Sequence, residues 1–435
     1  MQKKTHLFFI CLLLFLIITP STLLIILAFK GVTPYVAFYN IEEPVQKEIL
    51  AILNQEQIEK TKNTYKEIVL NADIPLSAQK DELKKCDLVF AQLDYDFIDF
   101  CKTSSKLKKD SLEFIRGMSS NIVNTVPIKD KRLCYVPVLY DFYQIDVDYN
   151  AFKKFSDSQK TKTIDYWRDL AEFLSFETHE RNVPLVFAGQ DKKNLLALTG
   201  MLAEALYEPE PTSGSPNPAD KAPKKYQDFS DELYEAFKKD FYEQNAHNYE
   251  NLRAIMDQAC APQGILYNAI NEFASLMNTS KTSSNVFKFS QQEMNFYLEN
   301  SLSSTALLRL SDHRTIDRSA INHFSSIYCP SAQDRSIRKF AAPCICVTSL
   351  KNNRQTRKMI SLVSNSSQTE LSTKTGLCPV QKNCAVADRQ ADDVRYWIAA
   401  SDGPMIPLYA AVPSKAAADF CADFIIDKIT GLLKN

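Results

Sequence analysis

From Thr33 onward, short runs of strand-forming residues alternate with helical periodicity, and this rhythm constrains the fold more than any other feature of the chain. "TPYVAFYN" (33–40) reads as a strand. "IEEPVQKEILAILNQ" then puts Glu42, Glu43 and Pro44 in a first turn and Val45, Ile49, Leu50 and Leu53 at helical spacing. "KEIVLNA" (66–72) and "CDLVFAQL" (86–93) are further strands separated by a Lys-rich segment. This β-α-β-α-β order predicts an open α/β sheet.

The rhythm then restarts. "LCYVPVLYDFYQIDVDYNAFKKF" (133–155) holds two extended stretches with Asp141 between them. "TKTIDYWRDLAEFL" predicts a helix capped by Thr163, with Asp165 in its first turn and Ile164, Trp167, Leu170, Ala171 and Leu174 as the buried stripe. The strand "VPLVFAG" and the buried helix "NLLALTGMLAEAL" follow, so a second α/β unit is expected. Residues 208–226 carry five of the 19 prolines and form a surface loop. Between Phe229 and Asn278 the pattern is helical and charged, and from Phe287 strand-like and helical pieces alternate again.

Composition excludes several function classes. Nine glycines in 435 residues, none closer to another than Gly189 is to Gly200, leave no room for a Walker A loop or a GxGxxG turn. Beyond residue 30, 48 basic residues face 52 acidic ones, which argues against a nucleic-acid partner. The five histidines are scattered without an HExxH, so no metal site and no cofactor is expected. No Ser/His/Asp or Cys/His arrangement stands out, and the paired carboxylates Glu42-Glu43 and Asp392-Asp393 fall in first helical turns, where they complement the dipole. An enzyme is not expected.

The 23 residues from Leu7 to Phe29 are uncharged and long enough to span a bilayer. Lys3 and Lys4 precede them, so the N-terminus should stay cytoplasmic and the rest be exported. Thr19-Pro20-Ser21-Thr22 interrupts the run and admits a second possibility, a signal peptide cleaved near Ser21. Eleven cysteines include no CxxC pair. Cys344-Ile-Cys346 places two thiols on one buried strand face, whereas Cys378 and Cys384 flank a short loop and are either a disulfide or two free thiols.

"SSQTELSTKTGLCPV" (366–380) reads as a short helix with its own start and stop. Ser367 and Glu370 fit a capping box, Gly376 a left-handed stop, and Pro379 blocks continuation. The preceding helix "RQTRKMISLV" should break at Ser364-Asn365-Ser366. Together with its neighbours, this segment resembles the extracellular solute-binding proteins of ABC importers, the maltodextrin-binding type. "VAFYN" is similar to their opening strand, "CDLVFAQLDYDFIDF" to a strand whose end faces the cleft, and "VPVLYDFYQIDVDYNAFKKF" to the hinge. "TIDYWRDLAEF", "VPLVFAG" and "FKFSQQEMNFYL" follow in the same order, so the resemblance spans residues 33–435. In the last of these, Ser290 and Glu293 stand where relatives carry glycine and alanine. The only tryptophans are Trp167 and Trp397, so the usual sugar-stacking rings are mostly missing.

The resemblance implies an α/β, two-lobed periplasmic-binding-protein fold with hinge crossovers, preceded by the anchor or signal segment 1–30. Lobe 1 is expected to comprise 33–140 and 287–340, and lobe 2 to comprise 141–286 and 341–435. It implies a monomeric extracytoplasmic receptor, held to the membrane through residues 7–29, that passes a small polar solute to an ABC permease. A ligand-free envelope scaffold on the same fold is the alternative. Ligands in open α/β sheets sit at the carboxyl ends of strands, which makes Tyr39, Asn40, Asp94, Tyr95, Tyr143, Gln190, Tyr297 and Tyr409 the candidate contacts. Asp94 has an equally simple role as a helix cap, and Trp397 is expected to pack in the core.

Overall fold

The computed structural model describes residues 34–433, leaving out 62–63, 108, 119, 124–125, 127, 130–131, 161–162, 179–182, 207–225, 244–247, 328–329, 333–339, 387 and 401–403. The expected membrane segment, residues 7–29, and most of the proline-rich loop lie outside the described residues. Among those described, no helix is long and apolar enough to cross a membrane.

The chain opens with β1 (Tyr35–Tyr39), α1 (Glu43–Thr61), β2 (Lys66–Val69), β3 (Leu88–Gln92) and α2 (Tyr95–Ser104). β2, β1 and β3 run parallel, as a β-α-β order requires. β1 is buried on both faces from Val36 to Tyr39, and on α1 Val45, Ile49 and Leu53 form the buried stripe. β4 (Val136–Tyr140) belongs to this sheet. After only Asp141 and Phe142 the chain enters β5 (Tyr143–Asp148), the centre of a second sheet.

The second lobe continues with α3 (Tyr149–Gln159), α4 (Trp167–Glu177), β6 (Leu185–Val186), α5 (Lys192–Leu206), α6 (Tyr226–Glu243), α7 (Glu250–Cys260), α8 (Tyr267–Thr279), α9 (Gln291–Glu299), β7 (Thr305–Arg309) and β8 (Phe324–Ile327). Its sheet has the order β8-β5-β7-β6. β7 alternates: Leu307 points into the main core, while Ala306 and Leu308 join a satellite cluster with Met294, Leu298 and Phe324. α4 begins at Trp167, three residues later than expected. Tyr166, not Thr163, occupies its N-cap, because Asp169 reaches back to the Tyr166 amide at 2.9 Å while Thr163 donates to Asp165.

The chain then returns through β9 (Phe340–Ala341) to β10 (Cys344–Ser349), α10 (Arg354–Ser361), α11 (Gln368–Thr375), β11 (Cys378–Pro379) and α12 (Arg389–Ala400). It crosses back through β12 (Pro404–Met405) to α13 (Lys415–Leu432), which packs on α5 and α8. The first sheet is therefore β11-β4-β10-β3-β1-β2, with β10 antiparallel to both β3 and β4. This corrects the expected division of the later chain. β7 and β8 bond to β5 and so place their part of 287–340 in the second lobe, while β10 and β11 place their part of 341–435 in the first. Of that last segment, the Leu408–Ala411 turn and α13 pack on the second lobe.

Among the described residues the chain passes from one lobe to the other at 141–142, between β8 and β10, and between α12 and α13. β9 and β12 pair with each other across the second and third. An aromatic line stiffens this hinge. Tyr140 and Phe142 are 5.5 Å apart, Phe142 meets Phe340 edge-on at 6.0 Å, and Phe340 stacks on Trp397 at 6.3 Å. Rings buried this way contribute about 2–3 kcal/mol each from area alone.

Local details near residue 370 also differ from expectation. The chain does not break at 364–366; one π-turn over Leu362–Ser366 joins α10 to α11. The capping box is absent, since Ser367 makes no side-chain cap and Glu370 pairs instead with Lys374 at 2.8 Å. Gly376 does end the helix, at φ 74°. Cys378 and Cys384 are both free: Cys378 is packed against Ala391 of α12, while Cys384 sits beside the Thr369 hydroxyl at 3.0 Å. Cys344 and Cys346 are buried on one strand face, their sulfurs 3.5 Å apart.

Candidate functional site between the lobes

β1, β2 and β3 end at the same edge of the first sheet, facing the hinge and the second lobe. Between them lies a cavity of about 240 Å³. Asn40 closes the end of β1 in a left-handed conformation, φ 53°, which asparagine tolerates better than most side chains. Glu42 and Gln46 enter from the start of α1, Val69 and Leu70 from the end of β2, and Gln92 from the end of β3. The opposite wall is Lys193 on α5, Arg309 at the end of β7, and Tyr409; Asp141 of the first crossing completes it.

The polar groups are already organised. Gln92 donates its amide to the Tyr409 hydroxyl at 3.0 Å, and the Lys193 ammonium stands 5.7 Å from the centre of the same ring. Tyr143 lies behind, edge-on to Tyr409 at 6.5 Å. Burial pushes both phenols up, so they remain neutral hydrogen-bonding groups. Arg309 bridges the lobes. It is ion-paired with Glu42 and with Asp312 at 3.0 Å. Asp141 accepts from the amide and hydroxyl of Ser311 at 3.1 and 2.8 Å; burial pushes its carboxyl up to about 6 despite the opposing pull of Arg309.

The eight sequence candidates separate into three groups. Asn40 and Tyr409 line the cavity, with Tyr143 one ring behind. Tyr39, Asp94 and Tyr95 lie at the same strand ends but are covered by the second lobe. Tyr39 is fully buried, its hydroxyl 3.5 Å from the Pro413 carbonyl oxygen. Asp94 caps α2 through the Phe97 amide at 2.7 Å, the role its position equally suggested. Burial first, and the Asp96 charge second, raise its carboxyl well above the usual range. Tyr95 stacks on Tyr234. Gln190 and Tyr297 fall away from the cavity. Gln190 is exposed and its amide is tied to the Phe289 carbonyl at 2.9 Å, next to Gly189, where a Cβ would stand 2.3 Å from the Val286 oxygen. Tyr297 stacks on Phe289 at 5.1 Å beside the satellite cluster.

Sequence reasoning missed Glu42, Gln92, Asp141, Lys193 and Arg309. Gln92 and Arg309 close strands and were accessible to the strand-end rule. Glu42 looked like an ordinary first-turn acid. Lys193 enters only through the packing of α5.

Two α/β lobes joined by hinge crossings, with a polar cavity at the strand ends, define a bilobal fold with an interlobe cleft. No family model and no curated protein matches the chain. Among solved structures, a solute-binding lipoprotein from Streptomyces coelicolor is 11% identical with a TM-score of 0.61, over 92% of this chain and 97% of that one. The binding protein MsmE from Bacillus subtilis, in an open conformation, is 10% identical at TM-score 0.62, over 92% and 96%. The bacterial solute receptor AcbH, described as preferring β-D-galactopyranose, is 10% identical at 0.60, over 93% and 100%. The chain has the fold of the solute-binding proteins, as the sequence resemblance implied, and these neighbours are described as binding proteins or receptors.

Proposed function

We propose that this chain is an extracytoplasmic solute receptor of an ABC importer, taking a small polar solute in the interlobe cavity and presenting it to a permease. Residues 7–29 serve as its membrane anchor. Carbohydrate is the class favoured, since the solved neighbours include AcbH and a RafE complex with raffinose. One observation carries the proposal: Tyr409 stands at the lobe boundary with its hydroxyl held by Gln92, beside Lys193, Asn40 and the Arg309–Glu42 pair. An aromatic face with convergent polar groups is how a cleft holds a hydroxylated ring. The cavity lies just below the roughly 300–1,000 Å³ of drug-sized sites, which suits a single small ring better than a long oligomer. No catalytic group is required, because ligand stabilises the closed form through its differential affinity for it.

The covering of Tyr39, Asp94 and Tyr95 by the second lobe supports the scaffold alternative. Thermal unfolding of the full chain in detergent against a panel of sugars, polyols and amino acids separates the two. A midpoint that rises with solute concentration supports the receptor. Absence of any shift across the panel supports the scaffold.

A further inference from the structure

Helix α6 of the second lobe lies across α2 of the first. The Tyr234 ring stacks on Tyr95, centroids 5.6 Å apart and planes inclined by 29°. Its hydroxyl donates to Asp99 at 3.1 Å. Lys238 stands 4.8 Å from the centre of the Tyr234 ring and 3.8 Å from Asp99. Gln227, two turns earlier on α6, donates to the Tyr95 hydroxyl. The two rings are only 8% and 6% exposed although each belongs to a different lobe. Asp94, the residue before Tyr95, is fully buried, and one of its carboxyl oxygens has no hydrogen-bond partner among the described residues.

This is an aromatic platform, a hydroxylated ring laid on it, a carboxylate holding the hydroxyl and, next along the chain, a buried carboxyl oxygen without a partner among the described residues. It has the polar-aromatic composition of a solute subsite, with the ring supplied by the protein. An unpaired buried carboxylate oxygen is costly, and a hydroxyl-bearing guest would relieve that cost.

Building on the receptor proposal, we infer that Tyr234 occupies from within the chain a subsite for the hydroxylated ring of a solute, so that α6 competes with solute and must leave α2 for it to bind. The apparent affinity is then reduced by the fraction of molecules in which α6 is seated.

The test uses full-length protein in detergent and three probes, D-galactose, raffinose and maltose. Tyr234→Ala removes stack and hydroxyl; Tyr234→Phe keeps the stack and loses only the Asp99 bond, so it retains the packing if the alanine variant folds poorly. Hydrogen exchange of the Asp94–Phe97 amides reads seating without any solute, and calorimetry reads affinity. Faster exchange at 94–97, together with binding of a probe about tenfold tighter in Tyr234→Ala and less so in Tyr234→Phe, supports the inference. A probe that binds the native chain and binds both variants equally well or more weakly overturns it and leaves the receptor proposal standing. Faster exchange with no probe bound by any form counts against the receptor itself, and the inference falls with it.

Discussion

Arg309 and Glu42 form an ion pair across the two lobes, the guanidinium at the end of β7 meeting a carboxylate from the start of α1. The pair is asymmetric. The Arg309 side chain is 16% exposed and also neutralises Asp312, which is 5% exposed, whereas Glu42 is 48% exposed. Removing Arg309 strands a buried carboxylate; removing the Glu42 charge does not. Arg309→Ala is therefore expected to cost about 3 kcal/mol and Glu42→Gln less than about 1 kcal/mol, read by urea unfolding. Equal losses in the two variants would contradict this division.

Stability should fall as pH rises from about 4 to 6, in part because of Asp141. Its folded carboxyl titrates at about 6, raised from 3.8 by burial, against the pull of Arg309 and with the help of Asp312 and Glu42. In that window the folded chain keeps a proton the unfolded chain has released, so the folded state loses ground until the group ionises and the effect levels off. The size is on the order of 3 kcal/mol. Asp141→Asn should flatten this slope in pH-dependent urea midpoints; an unchanged slope would show that another group sets it.

Tyr409 and Tyr297 were equivalent candidates in the sequence, yet only Tyr409 lines the cavity. For any solute that shifts the unfolding midpoint, Tyr409→Ala should weaken binding at least about tenfold, through loss of ring surface and of the Gln92 contact. Tyr297→Ala should leave affinity within about twofold while lowering stability, because it removes the stack on Phe289. Loss of binding in Tyr297→Ala alone would relocate the site.

Thiol chemistry distinguishes Cys378 from Cys384. Cys378 is fully buried, and burial pushes its thiol up to about 12, whereas Cys384 is partly exposed. In the native protein a maleimide should modify Cys384 and spare Cys378. A 2 Da deficit mapped to a 378–384 linkage in the untreated protein is the result that would sink this prediction.

Much of the local architecture was legible. β1, α1, β2 and β3 follow in the expected order, Val45, Ile49 and Leu53 of the expected α1 stripe are buried while Leu50 is half-buried, and the hinge falls at Asp141, between two extended stretches. Gly376 stops its helix because only a left-handed residue fits there. Where local signals competed, the sequence misled. Ser367 and Glu370 satisfy the pattern of a capping box, but the π-turn that joins α10 to α11 presents Ser367 in the wrong conformation and leaves Glu370 to Lys374.

The sequence by itself determined the alternation of strands and helices, the two α/β units and the position of the first hinge crossing, because propensity, periodicity and caps act over neighbouring residues. Only the tertiary structure decided that β10 inserts between β3 and β4, that β7 carries Arg309 to the cavity, and that α6 seals Tyr95. Those outcomes depend on ladder and packing partners many tens of residues apart. A strand's own residues specify which of its faces is buried, and they carry no record of which neighbour will hydrogen-bond to its edge.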